Sequence, residues 1–145
     1  MPTIIGQEVA PDFDGRPRRI SSEDFDIWHR FRTSNLYHPV RLLFDVGVGI
    51  GKSELPGVPD EWREHWLHQT QRRIDVLIIE EHRQIIVELR KRALANALGR
   101  LLVYKQLYLD DPIVDLPIEF WLVTDTTDPE LAALFLANGI RWITL

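Results

Sequence analysis

The chain has 145 residues and a mass of 17.0 kDa; 45% of its residues are apolar, and 17 Lys+Arg against 22 Asp+Glu leave a net charge of −5. A chain of this length buries roughly 70% of its unfolded surface in one core, so a single domain over residues 1–145 is expected, with no need for a staple. The absence of Cys excludes a disulfide scaffold, a thiol nucleophile and the cysteine-based zinc sites; no apolar run nears the roughly 18 residues of a membrane span, and the N-terminus lacks a secretion signal, so the expectation is a cytoplasmic protein without membrane contact.

In chain order, the segment Pro11 to Pro17 is turn-rich, and Ser21 or Ser22 can cap a helix to about Arg32 whose first turn carries Glu23, Asp24 and Asp26. Val40 to Val48 is apolar and β-branched, which predicts a buried strand ending in Gly47, Gly49 and Gly51. Pro59, at a first helical position before Asp60 and Glu61, predicts a helix to about Gln71 with Trp62, Trp66 and Leu67 inward. Arg73 to Ile79 and Gln84 to Arg90, separated by a short polar connection, read as a hairpin. Arg92 to Leu109 repeats apolar residues at helical spacing, Ile118 to Thr124 reads as a strand, Thr127 or Asp128 caps a helix to Ala137, and Ile140 to Leu145 closes the chain as a strand. This order of helices and strands predicts an α/β (α+β) domain with a mixed central sheet flanked by helices.

The charge is segregated: residues 1–60 balance at −2, residues 61–105 at +3 and residues 106–145 at −6. The middle third could therefore meet nucleic acid locally although the whole chain is acidic. Absent Cys, one Met, nine Pro and only three Lys among 17 basic residues resemble the composition of a thermostable protein.

The hairpin holds the strongest chemical signal. Asp75 and Glu88 lie equally far from a turn centred between Glu81 and His82, so a regular hairpin places them directly opposite, on one face, with β-carbons about 5 Å apart. Two like charges so placed repel unless something offsets them, and a hard divalent cation such as Mg²⁺ or Mn²⁺ does so with one or two carboxylates. Arg90, two residues after Glu88, shares that face, whereas Ile74, Val76, Ile85 and Val87 are expected on the other. The competing explanation is a surface hairpin whose carboxylates are neutralised by Arg90 or Arg73.

Asp75, the hairpin, Val87-Glu88-Leu89-Arg90 and the Ala-rich segment Ala93 to Tyr104 with its following strand resemble the core of the PD-(D/E)XK nuclease superfamily over residues 40–124. The resemblance implies a restriction-endonuclease-like core, α-β-(α)-β-β-α-β, with a C-terminal α-β extension. It implies Asp75, Glu88 and the Leu89 carbonyl as ligands of Mg²⁺ or Mn²⁺, joined by an acid of the first helix, for which Glu23 is the candidate and Asp26, Glu61 or Glu64 the alternates. Arg90 stands where the family usually has Lys; it cannot act as a general base but can hold a phosphate. Lys91 and Lys105 are other sources of an amine, and the family's Gln-x-x-x-Tyr element corresponds to Arg100 and Tyr104. The implied function is metal-dependent nuclease action, with Arg72, Arg73, Arg92, Arg100, Tyr104, Lys105 and Lys52 along the nucleic acid, DNA in the first instance, and a homodimer as a possible state. The alternative is an inactive nuclease-fold module that binds nucleic acid or protein.

Other signals rank lower. Val46 to Ser53 lacks the first glycine of a phosphate-binding loop, and His65 and His68 with Glu61 and Glu64 lack the spacing and third ligand of a helical zinc site. The tryptophans Trp62, Trp66, Trp121 and Trp142 sit at apolar positions and are expected in the core rather than stacked on bases.

Overall fold

The computed structural model describes residues 3–49, 57, 59–63, 70–93 and 95–145. Within them the elements run β1 (Gln7–Val9), α1 (Ser22–Arg32), β2 (Arg41–Val48), a 3₁₀ turn (Asp60–Trp62), β3 (Arg72–Ile79), β4 (Gln84–Arg90), α2 (Ala95–Asp110), β5 (Ile118–Thr124), α3 (Pro129–Ala137) and β6 (Ile140–Thr144). The six strands form one sheet in the order β1-β2-β3-β4-β5-β6. Pairing is antiparallel from β1 through β4 and parallel from β4 through β6, which makes the sheet mixed, as the element order predicts.

Local chemistry fixes the helix ends. The Ser21 hydroxyl accepts from the Asp24 amide at 3.1 Å, capping α1, and Asp128 Oδ1 accepts from the Glu130 and Leu131 amides at 3.1 and 3.2 Å, capping α3. Gly139, at φ 78°, turns the chain out of α3 into β6.

The sheet buries both faces. On one side α1 packs Ile27, Trp28 and Phe31 against Phe44, Val76, Ile85, Val87 and Trp121, with the Trp28 and Phe44 rings edge to face at 5.1 Å. On the other, Ala97, Leu101, Tyr104 and Tyr108 of α2 and Phe135 of α3 cover Leu77, Ile86 and Leu122. Each such large side chain contributes about 1.5–3 kcal/mol by leaving water, which is why the central β4 is buried along nearly its whole length.

Three expectations are corrected. Trp62 is not inward but 57% exposed, at the end of a 3₁₀ turn; the rest of the helix expected to Gln71, with Trp66 and Leu67, lies largely outside the described residues. The helix expected from Arg92 begins at Ala95 in the described chain. Ile74 does not share a face with Val76: it joins the α2 side and Val76 the α1 side, for a reason found at Asp45 below. Strand β1 was not expected at all; its three residues are too few to show a period. No described helix is long and apolar enough to cross a membrane.

Candidate functional site

The register of β3 on β4 pairs Val76 with Val87 and Leu77 with Ile86, so the next position along sets Asp75 opposite Glu88, as the symmetry of the hairpin predicts. There the backbone ladder stops. The Leu89 amide donates instead to Asp75 Oδ2 at 2.9 Å, so a side chain takes the place of a strand and the carboxylate is drawn between β3 and β4. The neighbouring strand is distorted at the same level: Asp45 of β2 has a left-handed φ of 56°, and inward-facing residues change phase there, Leu43 and then Val46 both facing α2. Ile74 changes phase with them, while Phe44 and Val76 stay on the α1 side. Gly6 accommodates the kink, since a β-carbon on it would lie 2.9 Å from Asp45 Cβ and Oδ2. Asp75 thus sits where the sheet opens, with its side chain 30% exposed, whereas that of Glu88 is 1% exposed.

Glu88 stands apart from the other buried polar residue of its strand face. Gln84 accepts from the Tyr108 hydroxyl at 2.5 Å and donates to the Val114 and Leu116 carbonyls at 3.0 and 2.9 Å, so its polar atoms are satisfied. Neither carboxylate oxygen of Glu88 accepts a well-formed hydrogen bond among the described residues. Its ion-pair partner is Arg90, whose Nη2 lies against Glu88 Oε1. Arg90 Nη1 donates to the Leu89 carbonyl at 3.2 Å and stands 4.0 Å from Asp75 Oδ2. One guanidinium therefore lies within 4.0 Å of Asp75, Glu88 and the Leu89 carbonyl, three of the four groups expected to ligate a cation.

Burial outweighs the nearby guanidinium charge at both carboxylates, and their proton affinities rise. Burial, then the facing Asp75, push Glu88 up to about 9 from its ordinary 4.5. Asp75 is also raised, by burial first, against the lowering effects of the Leu89 amide and Arg90. The pair retains a proton into the neutral range.

The other expected residues divide. Tyr104 lies 8% exposed near the pair: burial and then the charges of Glu88 and Asp75 push its hydroxyl up to about 12, and Arg100 is close enough to favour the ionised Glu88. Asp24 on α1, not Glu23, lines a pocket of about 50 Å³ with Asp75; burial raises its carboxyl, with Arg90 near enough to oppose this. Glu23 is exposed, 3.9 Å from the Lys91 ammonium, so Lys91 is turned toward the helix and not toward Glu88. Asp26 pairs with Arg30 at 3.0 Å, and Glu61 is exposed on the 3₁₀ turn. Arg73 holds both Asp45 oxygens at 3.0 and 2.9 Å. Arg72 and Arg92 are exposed. Lys105 lies over the Phe120 ring at 5.4 Å and lines a separate hollow of about 450 Å³ beside Gln84, at the start of β4 rather than near Glu88. Lys52, Glu64, His65, His68 and most of the glycine-rich segment after Gly49 lie outside the described residues.

Sequence reasoning missed Asp24 and Asp45. Asp24 was one of three acids in a first turn, and a helix turn alone does not say which of them meets the sheet. Among the described residues no group of three His, Asp or Glu side chains is close enough to hold a metal by itself. No protein-family model, curated protein or solved structure matches the chain.

Proposed function

We propose that the chain is a nuclease-fold phosphodiesterase whose Asp75 and Glu88 take a divalent cation, Mg²⁺ or Mn²⁺, and act on nucleic acid, DNA in the first instance. The observation that carries this is the 1% exposed Glu88 carboxyl brought against Asp75, with Arg90 alone among the described residues in ion-pair contact, on the same strand face where Gln84 is fully partnered. A buried carboxylate left in that state costs stability, and a cation removes the cost. The order α1-β2-β3-β4-α2-β5, antiparallel up to β4 and parallel after it, supports a restriction-endonuclease-like core with α3 and β6 as the extension.

The residues present suit a hard cation: Asp75, Glu88 and the Leu89 carbonyl are oxygen donors, and Asp24 is the helix acid nearest to them. A divalent cation there supplies Lewis-acid stabilisation of the charge that grows on a phosphodiester during hydrolysis. A guanidinium is no general base, and the role Arg90 can play is to hold a phosphate oxygen in its fork. Tyr104 of α2, nearly buried, stands close enough to Glu88 and Asp75 to feel their charge.

The contacts of Arg90 with Asp75, Glu88 and the Leu89 carbonyl favour a second reading, an inactive nuclease-fold module with an internal cation in place of a metal. Two measurements separate them: cleavage of supercoiled plasmid, single-stranded DNA and RNA with Mg²⁺ or Mn²⁺ by the wild type and Glu88→Gln, and the melting temperature of both across the metal titration. Cutting that is lost in Glu88→Gln, with a metal-dependent rise in melting temperature only in the wild type, is the expected result. Neither cutting nor a rise at millimolar metal would assign the second reading.

A further inference from the structure

Glu88 is almost fully covered, and the exposed side of the acid pair is Asp75, so a ligand reaches the pair through the pocket that Asp75 lines. The walls of that pocket are acidic, Asp24, Asp45 and Asp75, and repel a polyanion. Arg73 and Arg90, the arginines beside the acids, are turned inward onto Asp45 and Glu88. The cations that line the pocket are Arg18 and Arg19, on the loop that leads into α1; both are exposed, and Arg19 reaches Asp45 across the pocket.

That loop is built to hold a shape. Pro17 is buried, the Arg18 amide donates to Gln7 Oε1 on β1 at 2.8 Å, and Arg16 Nη2 donates to the Ile20 carbonyl at 3.0 Å, closing the loop just before the Ser21 cap. Arg19 is held at φ 61°, a left-handed conformation that disfavours a residue with a long side chain, and its guanidinium leans to within 3.9 Å of Asp45 at the pocket. A strained residue persists where its surroundings over-determine it, and here they aim it at the pocket mouth.

We propose that Arg18 and Arg19 form a clamp for the phosphate backbone at the mouth of the Asp75 pocket, guiding a nucleic-acid strand past the acid pair. The proposal rests on the nuclease-fold reading and adds the residues that grip the substrate, on a different segment from Arg72 and Arg92. The clamp contacts phosphates and not bases, so it gives salt-sensitive binding without sequence preference.

The test is anisotropy of a labelled DNA duplex, a single strand and an RNA in EDTA, across salt, with the wild type, Arg18→Ala/Arg19→Ala, Arg19→Gly and Arg141→Ala. The double variant is expected to bind about tenfold more weakly, with the slope of log affinity against log salt reduced by about 1–2, while Arg141→Ala, an exposed arginine on the far edge strand β6, stays within about twofold. Arg19→Gly is the informative single change, since glycine accepts the left-handed φ: it is expected to weaken binding while leaving the melting temperature unchanged or higher. Binding by the wild type with an unchanged slope in the double variant would overturn the clamp alone, as would Arg19→Gly binding normally. No binding of any probe by the wild type would overturn the nuclease-fold reading and the clamp with it.

Discussion

Glu88 is ionisable where burial disfavours its charge and Asp75 repels it, and this shapes how stability varies with pH. In the unfolded chain the carboxyl has its ordinary value of 4.5, and in the folded chain about 9, so the native state holds the proton more tightly. The stability tied to that proton is complete below about pH 4.5 and is lost as the pH rises toward 9. Glu88→Gln keeps the shape and cannot ionise, so it is expected to remove much of this decline and to exceed the wild type in stability at pH 9 by on the order of 2 kcal/mol, with a smaller difference at pH 5. Urea unfolding at both pH values reads it, and identical pH dependence in the two proteins would show that Glu88 is not the titrating group. A cation that binds the pair competes with the same proton, so metal affinity is expected to rise with pH over this range. Much of the site was legible at this scale. Equal distance from the turn placed Asp75 opposite Glu88, and alternation placed Arg90 on the face of Glu88. Alternation does not show that a guanidinium folds back onto its own strand's carbonyl, which depends on side-chain rotamers.

At the scale of elements, the opening beside Asp75 depends on the kink of β2, and the kink depends on Gly6. A β-carbon added to Gly6 meets Asp45 Cβ and Oδ2 at 2.9 Å and the Asp45 carbonyl oxygen closer still, so either the segment leading into β1 or the kink must move. Gly6→Ala is expected to destabilise by about 1–3 kcal/mol through this overlap. Gly99, inside α2, has nothing within 4 Å of its β-carbon position, and Gly99→Ala is expected to stabilise by about 0.5–1 kcal/mol. Denaturant midpoints of the two variants compare the sites directly, and equal shifts would mean that the kink yields freely. The change of face of Ile74 follows from the same feature. A left-handed Asp45 interrupts the period of two in β2, and β3, bonded to it in register, changes phase with it. Nothing in the period of either strand alone announces this, because the cause is a conformation and a contact from Gly6. The helix caps were readable for the opposite reason: Ser21 and Asp128 act within three residues of their own positions.

Across the whole molecule, an antiparallel half from β1 to β4 meets a parallel half from β4 to β6, and β4 belongs to both. The turn between β3 and β4 is tied across the seam by Arg83. Its Nε lies against Glu80 Oε1, its Nη1 donates to Glu119 Oε2 on β5 at 2.7 Å, and its guanidinium lies 5.2 Å from the centre of the buried Trp121 ring. Glu80 also accepts from the His38 amide ahead of β2, so a network centred on one arginine reaches β2, β3 and β5. Such a network costs less side-chain entropy per contact than separate surface pairs, and its worth increases with temperature as charge hydration weakens. Arg83→Ala leaves Glu80, which is nearly buried, without its cation, so the loss exceeds that of an exposed pair. With roughly 1.5 kcal/mol for charge-assisted contacts, and about 2–4 °C per kcal/mol for a domain near this size, the melting midpoint is expected to fall by about 3–6 °C. Arg30 bridges Asp26 and Asp125 at 3.0 and 2.9 Å, but all three side chains are at least 36% exposed, so Arg30→Ala is expected to move the midpoint by less than about 2 °C. Thermal melts of the two variants at low ionic strength decide between network and tally. If both move the midpoint equally, each arginine counts only as a surface charge, and the seam is held by β4 and β5 pairing and the apolar layers alone.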